Sequence, residues 1–494
     1  MEKRPSLTSS DPTERGEAIA RLRRQFLNDF DPVYVEHVVV PYFLDSTYEG
    51  ERLSLPLIDV KFTKENALPS YLWGLLSDSW KPSPEDGVTV FLQALEKRGP
   101  DNLRKKMYMS AVTPDLYRPM YADKVMTFFD HLLDERNAGK PLMRPYLEGY
   151  FDLYWDLHLG VKGDAIPASV RQIGQSFDTV LAYGDPTKKI VYENYMTVRS
   201  HRSFLQGWIE ERIADLINGR TANPEKTFAH YWIKNSGEGD VFKLKDVVFE
   251  CIHNFFAISQ WGKTIYHMML KLGKNTGDPD TRDWFNRIME SNFDQADGTA
   301  FTPLERFVME LFRTISPNDG SESALEEQET PLYERYGYIV SPHSATSFDP
   351  RHWKNPGKFD PDRYNSVPMS HQIDETRCQQ IGFAQCPFDR KTFDVKDGRK
   401  AALQNSGFGT VYGIVDGKPL PVCDYAGYAP FGFGYRRCPG EQFTIHVFAD
   451  FLRKVWKSKT EFEKLNIADP ELLPIGPRTV IGDNVGFTRN AIKS

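Results

Sequence analysis

Apolar residues recur at helical spacing over much of the chain. One such run begins at Thr113 and continues to about residue 137, with its apolar positions on one face. The same spacing predicts further helices over residues 204–218, 247–273 and 303–315. Strand-like runs are short, over 337–341 and 410–415. The pattern therefore predicts a mainly α fold with a minor β region.

The chain shows no internal repeat and no long Pro/Ser linker, so we expect residues 1–494 to form a single domain. Two segments are typical of surface excursions. Residues 316–331 are acidic and rich in turn residues, which predicts a solvated loop. Residues 365–424 hold three of the five cysteines and are interpreted as an inserted segment.

The net charge and the hydropathy of the chain indicate which binding partners and which compartments are expected. The net charge of −7 argues against nucleic-acid binding, because proteins that neutralise phosphates usually carry a basic excess. The first 26 residues are charged throughout and contain no apolar core of a signal peptide. No apolar run reaches the length of a membrane span, so the prediction is a soluble, cytoplasmic protein, with peripheral membrane contact left open.

The five cysteines, Cys251, Cys378, Cys386, Cys423 and Cys438, are widely spaced. An odd number without an export signal predicts reduced thiols rather than a disulfide framework. Structural zinc sites nearly always show C-x2-C pairs, and none is present, which disfavours a zinc protein.

One cysteine lies in an unusual stretch, PFGFGYRRCPGEQF, residues 430–443. Cys438 immediately precedes an apolar helical run, where the positive end of the helix dipole stabilises a thiolate. Arg436 and Arg437 add positive charge beside it. Glycines at 432, 434 and 440 remove side chains around the sulfur, which suits close approach by a large flat group. The alternative for Cys438 alone is a buried, inert thiol.

These residues fit F-x-x-G-x-R-x-C-x-G, with Phe431, Gly434, Arg436, Cys438 and Gly440 at the fixed positions, and the chain here resembles the cytochromes P450. Two further stretches support the resemblance in the same order. Glu310 and Arg313 resemble the E-x-x-R pair of that family, and residues 347–364 resemble the segment whose arginine, here Arg363, joins the pair. Taken alone, Glu310 and Arg313 would be an ordinary exposed ion pair, and Arg363 would be a cation in a loop.

The resemblance implies the P450 fold and a haem b whose iron takes the Cys438 thiolate as its axial ligand. Arg436 matches the residue that pairs with a haem propionate, and Arg104 or Lys105 is the candidate for a second propionate cation. The implied activity is monooxygenation of a hydrophobic small molecule, with electrons from a separate ferredoxin or flavin reductase. Lys105, Lys106, Arg437, Arg453 and Lys454 are candidates for a docking patch, with a merely solvated face as the alternative.

The distal helix departs from the family pattern. Its counterpart here is 249–269, and it lacks the adjacent acid and alcohol that move protons in typical monooxygenases. One register places Gln260 and Trp261 at those positions, and another places Lys263 and Thr264 there. An amide such as Gln260 or Asn254 can hydrogen-bond a peroxide, which favours a hydroperoxide isomerase or lyase, or an oxidative coupling enzyme, as alternatives.

Two less specific interpretations, one of the polar residues and one of the functional class, stay open. His253, Asn254 and Gln260 are equally consistent with satisfied polar groups of the core or its rim. A non-catalytic haem or zinc protein is the alternative from another functional class.

Overall fold

The computed structural model describes residues 31–35, 57–62, 108, 110–183, 189–236, 244–275, 278–291, 293, 301–315, 317, 321–324, 338–341, 347–348, 353–364, 412–415, 418–421, 430–431, 438, 440–465 and 485–489. Most of these residues are helical, and the strands among them are short. The prediction of a mainly α fold with a minor β region is confirmed.

The chain enters its helical part through the turn Pro114–Leu116 and a π-helical turn, Tyr117–Tyr121. The longer helices follow in chain order: α1 Ala122–Leu132, α2 Met143–Leu159, α3 Ala168–Tyr183, α4 Lys189–Ile217, α5 Phe228–Asn235, α6 Leu244–His253, α7 Ala257–Leu272, α8 Pro279–Glu290, α9 Pro303–Ile315 and α10 Glu441–Lys457. Short 3-10 turns lie at Glu135–Asn137, Gly163–Ala165, Pro224–Lys226, Asn254–Phe256 and Pro361–Tyr364.

The described strands form three antiparallel sheets. Their bounds are β1 Asp31–Val35, β2 Leu57–Phe62, β3 Ser321–Ala324, β4 Tyr338–Ser341, β5 Tyr412–Val415, β6 Lys418–Pro421, β7 Thr460–Lys464 and β8 Val485–Arg489. The first sheet has the order β1-β2-β4-β3, and the other two are the pairs β5-β6 and β7-β8. The acidic segment 316–331 is therefore not wholly a loop, because β3 lies within it and pairs with β4.

Helix α10 is the central element of the core. Its apolar side chains from Phe443 to Val455 are buried, and three of them, Phe443, Phe448 and Phe451, contact preceding elements through aromatic rings. Phe443 packs edge-on against Tyr117, Tyr121 and Phe228, with ring centroids 5.4, 5.8 and 5.6 Å away. The chain preceding α10, which contains Cys438, is thereby anchored to a rigid helix.

Helix α9 begins with a capping box formed by Thr302 and Glu305. The Thr302 N–H donates to Glu305 Oε2 at 2.8 Å, and the Glu305 N–H donates to Thr302 Oγ1 at 3.3 Å. The other oxygen of Glu305 lies 2.9 Å from His446 Nδ1 on α10. Glu305 therefore stabilises the start of α9 and also joins α9 to α10.

We expect Glu305→Gln to destabilise the protein in a pH-dependent way. Burial alone would raise the pKa of Glu305, but the hydrogen bond and charge of His446, with the bonds from Thr302, lower it below 4.5. A carboxylate with a lowered pKa stabilises the fold above its unfolded-state pKa and loses that contribution as the pH falls. The variant should cost about 1–3 kcal/mol at neutral pH.

Urea unfolding at several pH values measures this effect. The difference between Glu305→Gln and the parent should shrink as the pH falls through the acid range, because Glu305 takes up a proton first in the unfolded chain and, since its pKa is lowered, only at still lower pH in the folded parent. Glu290→Gln, at an exposed carboxylate near the end of α8, is the matched control. A difference that stays constant between neutral and acid pH would contradict the role assigned to Glu305.

Candidate functional site

Cys438 lies just before α10, whose N-cap residue is Gly440. Its side chain is partly exposed, and its backbone N–H donates to the Phe431 carbonyl at 2.7 Å. Residues 431–438 are called the cysteine loop below. A Cβ built on Gly440 would lie 3.8 Å from the Cys438 sulfur, an ordinary contact. Space beside the sulfur therefore does not itself require glycine at 440. Gly434 and Arg436 lie outside the described residues.

The position of the thiol suits an axial ligand of haem iron. The N-terminus of α10 favours an anion next to it, and a partly exposed thiolate can be reached by a ligand. Within the described part of the chain, no group of three His, Cys, Asp or Glu residues is arranged to hold a metal ion. A single thiol donor at a helix N-terminus fits haem, because porphyrin iron takes one protein ligand on a face.

An aromatic contact connects the cysteine loop to α9, and a second one continues from α9 to α10. The Phe431 ring lies 4.8 Å from that of Phe312 on α9, and Phe312 in turn packs edge-on against Phe448 on α10 at 5.4 Å. Phe312 is nearly fully buried. The side chain two residues after Glu310 therefore holds the loop that carries Cys438.

Glu310 accepts hydrogen bonds from several directions in the core. Arg313 donates to both of its oxygens, from Nη2 at 2.7 Å and Nε at 2.8 Å. The Asp360 N–H and Arg363 Nε donate to Oε1 at 3.0 and 3.1 Å, and the Tyr364 hydroxyl donates to Oε2 at 3.0 Å. The structure brings together the three residues that the motifs singled out, Glu310, Arg313 and Arg363.

Arg313 uses its remaining N–H groups on backbone carbonyls. Nη1 donates to Ser347 and Pro356 at 2.7 and 2.9 Å, and Nη2 donates to Lys358 at 3.3 Å. The guanidinium also lies over the Trp353 ring, 5.1 Å from its centroid. Both Glu310 and Arg313 have fully buried side chains. The cluster thus fixes segment 347–364 onto α9, next to the residue that holds the cysteine loop.

The helix predicted over residues 249–269 is interrupted, because α6 and α7 are separated by the 3-10 turn Asn254–Phe256. In such a turn the amides bond three residues back instead of four, so the helical register breaks at that point. Asn254 lies in the break, whereas Gln260 and Thr264 lie within α7.

The candidates on α7 are placed differently from Asn254. The Thr264 side chain is buried, and its hydroxyl donates to the Gln260 carbonyl one turn earlier at 2.8 Å. Gln260 itself is half-buried. Trp261 packs into the core, 5.8 Å from the rings of Tyr150 and Phe448. Trp261, which stands at the alcohol position in one register, thus joins α7 to α2 and α10 through aromatic contacts.

Asn254 lies between two partners that the sequence did not single out. The Tyr108 hydroxyl donates to Asn254 Oδ1 at 2.9 Å, and Asn254 Nδ2 lies 2.9 Å from His158 Nε2 on α2. The sequence signal for His158 is a lone imidazole near the aromatic-rich end of α2. Asn254 is thus a hydrogen-bonded polar group at the helix break.

Electrostatics relate this cluster to the cysteine. Burial raises the pKa of Tyr108 well above its ordinary value, and a negative charge on Cys438 is the next largest cause. Burial also lowers the pKa of His158 to about 3, so its imidazole is neutral at physiological pH. Tyr108 therefore lies within electrostatic range of the Cys438 sulfur while its hydroxyl is bonded to Asn254.

The candidate docking patch is only partly described. Arg453 is bonded to the buried Asp450 at 2.7 Å, and Lys454 forms an ion pair with Asp130 on α1. Lys105, Lys106 and Arg437 lie outside the described residues, as does Arg104. The two described cations thus neutralise carboxylates of this chain.

None of the helices in the described part of the chain combines the length and the apolar character needed to cross a bilayer.

Comparisons with known proteins give matches in structure alone. No protein-family model matches the sequence, and no curated protein matches it significantly. A zebrafish cytochrome P450 solved with abiraterone has 12% sequence identity and a TM-score of 0.52, over 96% of this chain and 100% of that chain. Cytochrome P450 OleT, as a variant in complex with arachidonic acid, has 14% identity and a TM-score of 0.51, over 86% of this chain and 84% of that chain.

Proposed function

We propose that this chain, which has the cytochrome P450 fold, is a haem-thiolate oxidoreductase acting on a hydrophobic small molecule. The observation that carries the proposal is the placement of Cys438. Its thiol lies at the N-terminus of α10, in a loop tied through Phe431 and Phe312 to the buried Glu310 cluster. A hydrophobic substrate is proposed by analogy with solved structures of the same fold, which contain abiraterone and arachidonic acid.

Haem b is the proposed cofactor, with Cys438 as the iron ligand. Bound haem would supply oxidation chemistry, and a thiolate donor favours O–O cleavage. Gly434 and Gly440 are proposed to flank the ligand cysteine, while Arg436 and either Arg104 or Lys105 are proposed to pair with the propionates. Phe431, Glu310, Arg313 and Arg363 hold this loop and its surroundings in place.

Two modes of reaction are consistent with the fold. Monooxygenation would use a separate ferredoxin or flavin reductase. The second candidate, isomerisation or cleavage of a hydroperoxide or an oxidative coupling, is favoured by a specific observation. The break between α6 and α7 carries an amide, Asn254. Neither register of this helix places an acid beside an alcohol, and the Thr264 hydroxyl proton is used by the backbone of its own helix. An amide can hydrogen-bond a peroxide but does not exchange protons as a carboxylic acid does.

We propose that residues 1–494 form one haem domain, with residues 365–424 as an inserted segment. Within that segment the structure describes the hairpin β5-β6, which is paired antiparallel from Tyr412 with Pro421 to Val415 with Lys418.

The decisive experiment is spectroscopic. The purified protein, expressed with ample haem precursor, is reduced under carbon monoxide, and a haem-thiolate protein gives the red-shifted absorption of this class. Turnover of a lipid hydroperoxide without NADPH then supports the second mode, and oxidation that requires a reductase supports the first. A colourless protein, or a carbon monoxide complex without the red-shifted band, would refute the haem-thiolate assignment.

A further inference from the structure

Three side chains from outside the distal helix surround its break. The Tyr154 hydroxyl donates to the Cys251 carbonyl at 2.6 Å, on the last turn of α6. Tyr108 and His158 contact the Asn254 side chain at 2.9 Å each. The Tyr154 and His158 rings stack with centroids 4.0 Å apart, so the two residues form one unit on α2. The break is therefore supported mainly by α2.

The hydrogen bonds of His158 determine its tautomer. Nδ1 lies 2.7 Å from the Tyr154 carbonyl oxygen, which can only accept a hydrogen bond, so Nδ1 carries the proton. Nε2 of the neutral ring is then an acceptor. The atom of Asn254 that faces it must be the donor, Nδ2, which agrees with Oδ1 accepting from the Tyr108 hydroxyl.

The Asn254 amide consequently has one allowed orientation. A flipped amide would set its oxygen against the lone pair of His158 Nε2, whereas the Tyr108 hydroxyl can donate or accept and so serves either orientation. The imidazole cannot easily adapt by taking a second proton, because burial lowers the pKa of His158 to about 3. Nδ2 carries two N–H groups, and the one not directed at His158 is thereby fixed in direction.

We propose that His158 is a positioning residue, which holds the Asn254 amide so that its second N–H points in one direction for a hydrogen bond to a ligand in the haem pocket. The inference rests on the proposed function, since it assigns this amide to the distal side of a haem site. His158 lies on α2, and its hydrogen bonds are to the Tyr154 carbonyl and the Asn254 side chain. Its proposed effect on the haem pocket is therefore exerted through Asn254.

The test uses the haem-loaded protein and the infrared stretch of bound carbon monoxide, which responds to hydrogen bonds near the ligand. His158→Phe keeps an aromatic ring but removes the acceptor, so the Asn254 amide is released and the stretch should shift or split. His158→Gln places a carbonyl oxygen near the position of Nε2 and should restore a single band at the parent frequency. A structural role alone predicts no such recovery of the ligand signature.

Tyr108→Phe provides a second test that removes one hydroxyl. Because the His158 acceptor stays in place, this variant should shift the band less than His158→Phe does. If His158→Phe does not fold, His158→Leu removes the same acceptor and takes its place. A parent-like band in the folded variant that lacks the acceptor would overturn the inference while leaving the haem-thiolate assignment intact. A parent protein without the red-shifted carbon monoxide absorption would instead overturn both.

Discussion

Replacing Cys438 with serine is expected to abolish the red-shifted absorption of the reduced carbon monoxide complex and to lower any oxidative activity by at least ~100-fold. Loss of an outer partner of a metal ligand already costs about 10- to 100-fold, so loss of the ligand itself should cost more. A serine hydroxyl is not ionised at the N-terminus of α10 and is a poor substitute for a thiolate. Haem content and the absorption spectrum are the measurements.

Cys251 provides the matched control. It is the other cysteine in the described part of the chain, fully buried on α6, and burial raises its pKa so that it remains a thiol. Cys251→Ala should retain the red-shifted band, with only a modest loss of stability. If Cys438→Ser keeps the band, or if Cys251→Ala loses it in a folded protein, the iron ligand has been assigned to the wrong sulfur.

Part of the fold followed from local sequence patterns. Helix α9 was predicted at its observed bounds, because its apolar face is clear and the sequence around Thr302 and Pro303 marks its start. The resemblance to the P450 motifs also singled out Glu310, Arg313 and Arg363, which the structure joins by hydrogen bonds. For α9 the sequence carries the information over a few neighbouring residues, whereas Arg363 was linked to Glu310 through the family pattern.

Other features depend on contacts that sequence patterns do not contain. The break at Asn254 coincides with side chains from α2 and from Tyr108, which lies 146 residues earlier in the chain. Similarly, β3 is a strand because it pairs with β4, although its sequence SESA has no strand-like apolar alternation. Tyr108 and His158 were missed for the same reason, since each acts through a partner distant in the sequence.

The Glu310 cluster explains how a thiol in a loop can be held rigidly. Phe312 on α9 touches Phe431 in the cysteine loop, and the same helix carries Glu310 and Arg313, which bind segment 347–364. Glu305 on α9 contacts His446 on α10. The cysteine loop thus contacts α9 at Phe431 and leads into α10 after Cys438. A substitution that displaces α9 should therefore also displace the Cys438 thiol.

Glu310→Gln is therefore expected to destabilise the protein by about 3–5 kcal/mol, because it leaves Arg313 buried with its charge uncompensated. The new amide also directs N–H groups at Arg313 donors that previously met a carboxylate. The measurement is the urea midpoint of unfolding at an unchanged m-value. Haem retention should fall in parallel, since α9 supports the cysteine loop.

Glu135→Gln is the control for loss of a carboxylate that pairs with an arginine at the surface. Glu135 is 79% exposed and pairs with Arg489 at 3.1 Å, so its replacement should cost under about 1 kcal/mol. The contrast isolates burial as the cause, because both substitutions remove one negative charge from an arginine. A midpoint shift for Glu310→Gln no larger than that for Glu135→Gln would show that the buried cluster does not hold α9 to segment 347–364.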